Sequence, residues 1–102
     1  MYKLIVSELA HQDLENIVAY ISVKLANPTA ASSFLAEVDG CYSYLKATPM
    51  MYETCQDNHL KKAGYRKAPI KNYILIYKIN EDTKTVNIMR FFYSAQDYIR
   101  SI

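Results

Sequence analysis

Tryptophan is absent, glycine occurs twice, proline three times and cysteine twice in the 102 residues. So few glycines and prolines exclude a collagen-like or low-complexity chain. Two cysteines are too few for a disulfide scaffold. Cys41 and Cys55 have no C-x-x-C neighbour and no metal-type spacing, and read as two small reduced thiols of a core. A structural zinc site needs four ligands, and His11 and His59 do not gather near the cysteines. No Gly-rich phosphate loop is present, so no metal, nucleotide or redox cofactor is expected. No apolar run approaches the ~20 residues that span a bilayer. Met1–Val6 is too short for a signal peptide and meets Glu8 at once. The expectation is a cytoplasmic protein with no membrane contact.

What is present suits one compact unit. Apolar residues make up 51% of the chain, enough to bury a core, and the length is that of a single domain, residues 1–102. The net charge of +2 hides an asymmetry: residues 1–58 carry three basic and seven acidic side chains, residues 59–102 nine basic and three acidic. From His59 to Ile79 stand Lys61, Lys62, Arg66, Lys67, Lys71 and Lys78 with no carboxylate among them. Such a segment fits an anionic partner; a lysine-protected strand edge is the plainer alternative.

Residues 2–6 read as a short strand. Ser7 stands where an N-cap belongs, with Glu8 in the first turn. Leu14, Ile17, Val18, Ile21 and Leu25 then form a helical stripe, with Asp13, Glu15, Asn16 and Lys24 facing elsewhere. Asn27-Pro28 ends that helix and caps a second, whose stripe is Ala31, Phe34, Leu35, Val38, Tyr42 and Leu45, up to Thr48-Pro49. So short a connection makes an antiparallel helical hairpin. Gly40 lies inside the second helix without an evident reason. Residues 49–63 show no period and read as a loop. Tyr65–Ile70 is strand-like, with Pro69 marking an edge. Lys71-Asn72 is a turn, Tyr73–Ile79 a strand covered on both faces, Asn80–Lys84 a hairpin loop and Thr85–Phe92 another central strand. Ser94–Ile102 has room for one or two helical turns. The order is β-α-α-β-β-β, an α+β fold: an N-terminal strand, a helical hairpin, then a three-stranded antiparallel meander with one face on the helices.

This order resembles the RelE/ParE superfamily of bacterial type II toxin–antitoxin toxins. The matching pieces are the opening strand into Ser7–Ile17, the Asn27-Pro28 break, Gly64-Tyr65-Arg66-Lys67, Lys71–Tyr77, and Ile88–Tyr93 followed by Asp97-Tyr98. Together they cover nearly the whole chain. The resemblance implies a small toxin neutralised by a cognate antitoxin, with growth arrest and plasmid stabilisation as its biology. RelE-like members cut messenger RNA in the ribosome; ParE-like members poison DNA gyrase.

Cleavage of RNA by its 2′-hydroxyl needs a proton acceptor, a proton donor and cations for the phosphorane. In RelE-like nucleases, one such arginine directly follows the aromatic that corresponds to Tyr73, where this chain has Ile74. An arginine pair after the last strand is replaced by Ala95-Gln96. Both departures disfavour a nuclease and leave the ParE-like branch nearer, although that branch too commonly has basic residues near its C-terminus. The resemblance thus leaves three functions open: gyrase inhibition by binding, a ribosome-dependent endoribonuclease, and a degenerate member that only captures antitoxin.

The target-binding candidates are Arg66, Lys67, Lys71, Arg90, Tyr93 and Tyr98. Arg66, Lys67 and Lys71 would meet phosphate or an acidic protein. Arg90 interrupts an apolar strand and must be paired or reach a wet face; Asp97 is one expected partner, the site itself the other destination. Tyr93 and Tyr98 would stack or donate a proton, or else cap a core. The face of the sheet away from the helices is the expected place for Arg90 and Tyr93. Lys61 and Lys62 read as loop solubility, His59 as inert, and His11 has no role.

Overall fold

A computed structural model describes all 102 residues. Strand β1 (Lys3–Val6) leads into helix α1 (Glu8–Ala19), whose last turn widens into a π-helical turn, Tyr20–Lys24. Helix α2 (Pro28–Ala47) follows, then a 3-10 turn (Pro49–Met51), a short helix α3 (Asn58–Lys62), strands β2 (Arg66–Ile70), β3 (Tyr73–Asn80) and β4 (Thr85–Tyr93), and a final 3-10 turn, Tyr98–Ser101.

The expected caps form. The Ala10 N–H donates to Ser7 Oγ at 3.0 Å and the Ala30 N–H to Asn27 Oδ1 at 3.0 Å, each satisfying an amide that helix geometry leaves free. The helical connection needs one strained residue, Ala26 at φ 49°. Residues 49–63 are more ordered than the lack of periodicity suggested. Asp57 Oδ1 accepts the Leu60 N–H at 3.1 Å and caps α3, which then closes on Gly64 at φ 86°. The Tyr65 N–H donates to Leu60 O and the Gly64 N–H to Lys61 O, both at 3.0 Å. This double closure needs a left-handed residue, which is why a glycine stands there. Five residues are too few for a hydrophobic period to show.

The meander forms as expected, with β3 antiparallel to both β2 and β4. The first strand joins it parallel to β4, Lys3 opposite Thr85 through Val6 opposite Ile88, so the sheet is four-stranded and mixed in the order β1-β4-β3-β2.

The sheet buries both faces. Against the helical hairpin lie Ala68, Ile70, Leu75, Tyr77, Val86, Ile88 and Phe91, meeting Ala10, Ile17, Ile21, Phe34, Val38, Cys41 and Leu45. On the other face Ile74, Ile76 and Phe92 pack with Cys55 and Leu60, and the part-buried Tyr65, Met89 and Tyr98 close the edge. Leu25 and Leu35 are exceptions to the stripes, 55% and 39% exposed. The register slips between Ile76 and Tyr77: Ile76 opposes Arg90 but Tyr77 opposes Ile88. The extra residue, Met89, bulges out. Strict alternation would send Ile88 and Phe91 to opposite faces; the bulge puts both toward the helices and leaves Arg90 free to turn outward.

Candidate functional site

Strand β1 is shorter than β4, so the last part of β4 has no strand on that side. Helix α1 covers this edge with side chains. The Ser7 N–H donates to Ile88 O at 3.0 Å and its hydroxyl to Met89 O at 2.9 Å. The Phe91 N–H donates to Asp13 Oδ2 at 3.0 Å. The same carboxylate takes Arg90 through Nε at 2.7 Å and Nη2 at 3.1 Å, a two-pronged, charge-assisted pair. The Asp13 carboxylate holds the guanidinium above its ordinary pKa range. Arg90 Nη1 also donates to Ser101 O at 3.3 Å.

Arg90 therefore does not pair with Asp97, which binds Arg100 at 3.2 Å on the surface instead. Asp13, read as facing away from the helical stripe, is part-buried at the heart of the site. It stands three residues after Ala10 and four before Ile17, both buried. That spacing is the available signal: a carboxylate on a core-facing stripe needs a partner.

Beside this pair runs a groove of about 750 Å³ between α1, the π-helical turn, the start of α2 and the β3–β4 end of the sheet. Ile17, Tyr20, Ile21 and Phe34 line the helical side, Tyr73, Phe91 and Tyr93 the sheet, with Lys71, Arg90 and Gln96 as polar members. Tyr73 rests against Phe34 (centroids 5.2 Å apart) and meets Tyr93 edge-on at 5.6 Å. Tyr93 thus lies on the helical side, not on the outer face as expected, because it is directly opposite Tyr73 in the register. Burial pushes the Tyr73 phenol up. Both perturbed groups here, Arg90 and Tyr73, move away from neutrality, the wrong direction for proton transfer at pH 7.

The remaining candidates are dispersed. Arg66 Nη1 donates to Tyr52 O at 2.6 Å and braces the segment before α3. Lys71, at φ 54° in the β2–β3 turn, donates to Ser33 Oγ of α2 at 3.3 Å. Lys67 lies on the opposite face of the sheet, its Nζ 6.0 Å from the centre of the Tyr98 ring. Tyr98 stacks on Phe92 at 6.0 Å. On that same face Lys78 Nζ sits 4.8 Å over the Tyr65 ring and the Arg90 guanidinium 4.8 Å over Phe92. The fold thus gathers Lys71, Arg90 and Tyr93 in the groove, joins Lys67 to Tyr98 behind it, and gives Arg66 a structural task. Tyr20, Phe34 and Tyr73 complete the groove; helical and strand periodicity marks Phe34 and Tyr73 only as core, and Tyr20, 48% exposed, lies off the helical stripe. No three His, Cys, Asp or Glu side chains gather as a metal site would require.

A family model described as the ParE toxin of type II toxin–antitoxin systems, parDE, matches residues 4–98. The chain belongs to the ParE toxin family. Solved structures with the same fold include the chromosomal ParDE system from P. aeruginosa (TM-score 0.70, 16% identity, 91% of this chain and 96% of that one). The toxin–antitoxin complex RelBE2 from Mycobacterium tuberculosis aligns with TM-score 0.64 and 20% identity over 90% of this chain and 96% of that one. YafQ from E. coli aligns with TM-score 0.61 and 17% identity over 93% and 96%. No curated protein sequence matches the chain. This ParE-family toxin has no helix long and apolar enough to cross a membrane.

Proposed function

We propose that this ParE-family toxin acts by binding, inhibiting DNA gyrase, and is neutralised by a cognate antitoxin. The observation that carries the reading is the setting of Ile74. It stands where the resemblance puts a nuclease arginine, and it is 5% exposed, packed with Cys55, Leu60, Ile76 and Phe92. A solvated cation has no place in that cluster without breaking it. Arg90, the one arginine of the central strands, has its charge answered by Asp13, so little positive charge is left for a phosphorane there. The apolar groove is of a kind that receives an amphipathic helix, and the ParDE and RelBE2 structures are a toxin–antitoxin system and a toxin–antitoxin complex.

Two assays on purified toxin test this. Supercoiling by gyrase should fall as toxin is added, and primer extension on a defined message in a reconstituted translation reaction should show no new ends. Discrete toxin-dependent cuts with supercoiling intact would replace this reading with the ribonuclease one. Neither effect, with antitoxin still bound, would leave a degenerate binding module.

A further inference from the structure

The sheet face opposite the helices carries cations set against aromatic rings: Lys78 on Tyr65 and Lys67 on Tyr98. In the β2–β3 register Lys67 opposes Ile76, two residues before Lys78, so the two lysines are diagonal neighbours on one surface. Lys61 and Lys62, exposed on α3, belong to the same side, since Leu60 between α3 and the sheet anchors that helix to the second apolar cluster. Of the carboxylates around this face, Asp57 caps α3 and Asp97 pairs with Arg100, while Glu53, whose carbonyl accepts the Lys67 N–H at 3.2 Å, and Asp82, beside Lys78 at the β3–β4 turn, form no ion pair with either lysine. Neither Lys67 nor Lys78 has a salt-bridge partner. With four lysines on this side and neither Lys67 nor Lys78 tied into an ion pair, the face offers unpaired ammonium groups to an anion.

We infer that this face binds the phosphate backbone of duplex DNA through Lys67 and Lys78, with Lys61 and Lys62 adding attraction from α3. The choice of DNA as the polymer rests on the gyrase reading; the choice of duplex backbone rests on geometry. Single-stranded nucleic acid is held by stacking bases on free aromatic faces. Here Lys78 covers the Tyr65 ring, while Tyr98 lies between Phe92 and Lys67. Lys67 and Lys78 are half-buried beside these rings, and their ammonium groups are donors that suit phosphate oxygens. A toxin built this way touches the DNA of the gyrase complex as well as the enzyme, and so favours gyrase that has DNA bound.

The test is fluorescence anisotropy of a short labelled DNA duplex titrated with the purified toxin across a salt series, with single-stranded RNA of the same length in parallel. The duplex should bind with a log–log salt slope of about −0.9 for each phosphate neutralised. Lys67→Ala and Lys78→Ala should each make the slope shallower by about 1, and the double variant should lose binding. Lys67→Arg with Lys78→Arg should restore it, and Lys46→Ala on α2 should leave it unchanged. Circular dichroism melts confirm that the variants fold. The inference is overturned by no duplex binding at low salt, by binding indifferent to Lys67 and Lys78, or by single-stranded RNA binding more tightly than the duplex. Supercoiling measured on the same proteins separates the two ideas. Gyrase inhibited without duplex binding overturns this inference alone, whereas duplex binding without inhibition upholds it and overturns the gyrase reading.

Discussion

Asp13 ties α1 to the uncovered edge of β4. Its carboxylate accepts three hydrogen bonds, two from Arg90 and one from the Phe91 amide, and only 16% of its side chain is exposed. Surface pairs such as Lys84–Glu81, with side chains 63% and 45% exposed, contribute little by comparison. Asp13→Ala is expected to cost about 2–3 kcal/mol, because it strands a guanidinium and a strand-edge amide together. For a domain of this size that lowers Tm by roughly 10–15 °C. Asn at 13 keeps an acceptor for Phe91 and should lose less. Urea denaturation of both variants checks this, and a loss below about 0.5 kcal/mol for Ala would mean the pair is incidental. Tyr42 presents the opposite case. Its hydroxyl is buried with no partner, and burial pushes its pKa up to about 12. Tyr42→Phe removes a polar atom that was never satisfied and is expected to stabilise by about 1 kcal/mol.

At the scale of elements the two glycines predict opposite signs. Gly64 closes α3 at φ 86°, in the left-handed region, so Gly64→Ala should cost about 1–2 kcal/mol. Gly40 is interior to α2, and a Cβ built on it would meet nothing within 4 Å. Gly40→Ala should therefore gain about 1 kcal/mol from helix propensity alone. Nothing in the structure explains why Gly40 is there. Thermal melts of the two variants, moving in opposite directions, check both statements. The helices, their caps, and the three meander strands were open to reading from spacing and from turn residues, since these are local. Helix α3 was missed because one buried leucine in five residues makes no period. The place of β1 was missed because parallel pairing with β4 joins residues some eighty positions apart, and nothing in a four-residue strand names its partner.

On the scale of the whole molecule, burial pushes several weak acids up together. The thiols of Cys41 and Cys55 and the phenols of Tyr42, Tyr52, Tyr73 and Tyr77 all have desolvation as the leading cause. Each keeps its proton in the folded chain at a pH where the unfolded chain has released it. Stability is thus complete below the ordinary values, about 8.5 for cysteine and 10 for tyrosine, and falls as pH rises beyond them. The urea midpoint should be flat near neutrality and drop above about pH 9, more steeply above 10. Tyr42→Phe should make the alkaline slope shallower. A midpoint unchanged to pH 11 would contradict the buried setting of these groups. The acidic first half and basic second half also acquire a meaning only in three dimensions, because the cations divide between a groove, a brace and an outer face.

By itself the sequence determined the two amphipathic helices and the apolar strands, because each depends on neighbours within a few turns or strand lengths, and the order of these pieces along the chain carried the α+β class and the RelE/ParE resemblance. It also singled out Arg90 as a charge that had to be answered. Only the tertiary structure decided who answers it. Asp13 is 77 positions away, and the pair forms because β1 ends early and α1 covers the bare edge of β4. The same holds for the basic segment 59–79. Its five lysines and one arginine are close in sequence, but strand alternation and the β2–β3 turn send Arg66, Lys67 and Lys71 to different surroundings. One bulged residue, Met89, turns Arg90 outward while Ile88 and Phe91 stay against the helices. Side-chain direction in a sheet reverses with every residue, so a single register shift settles what a linear pattern leaves open.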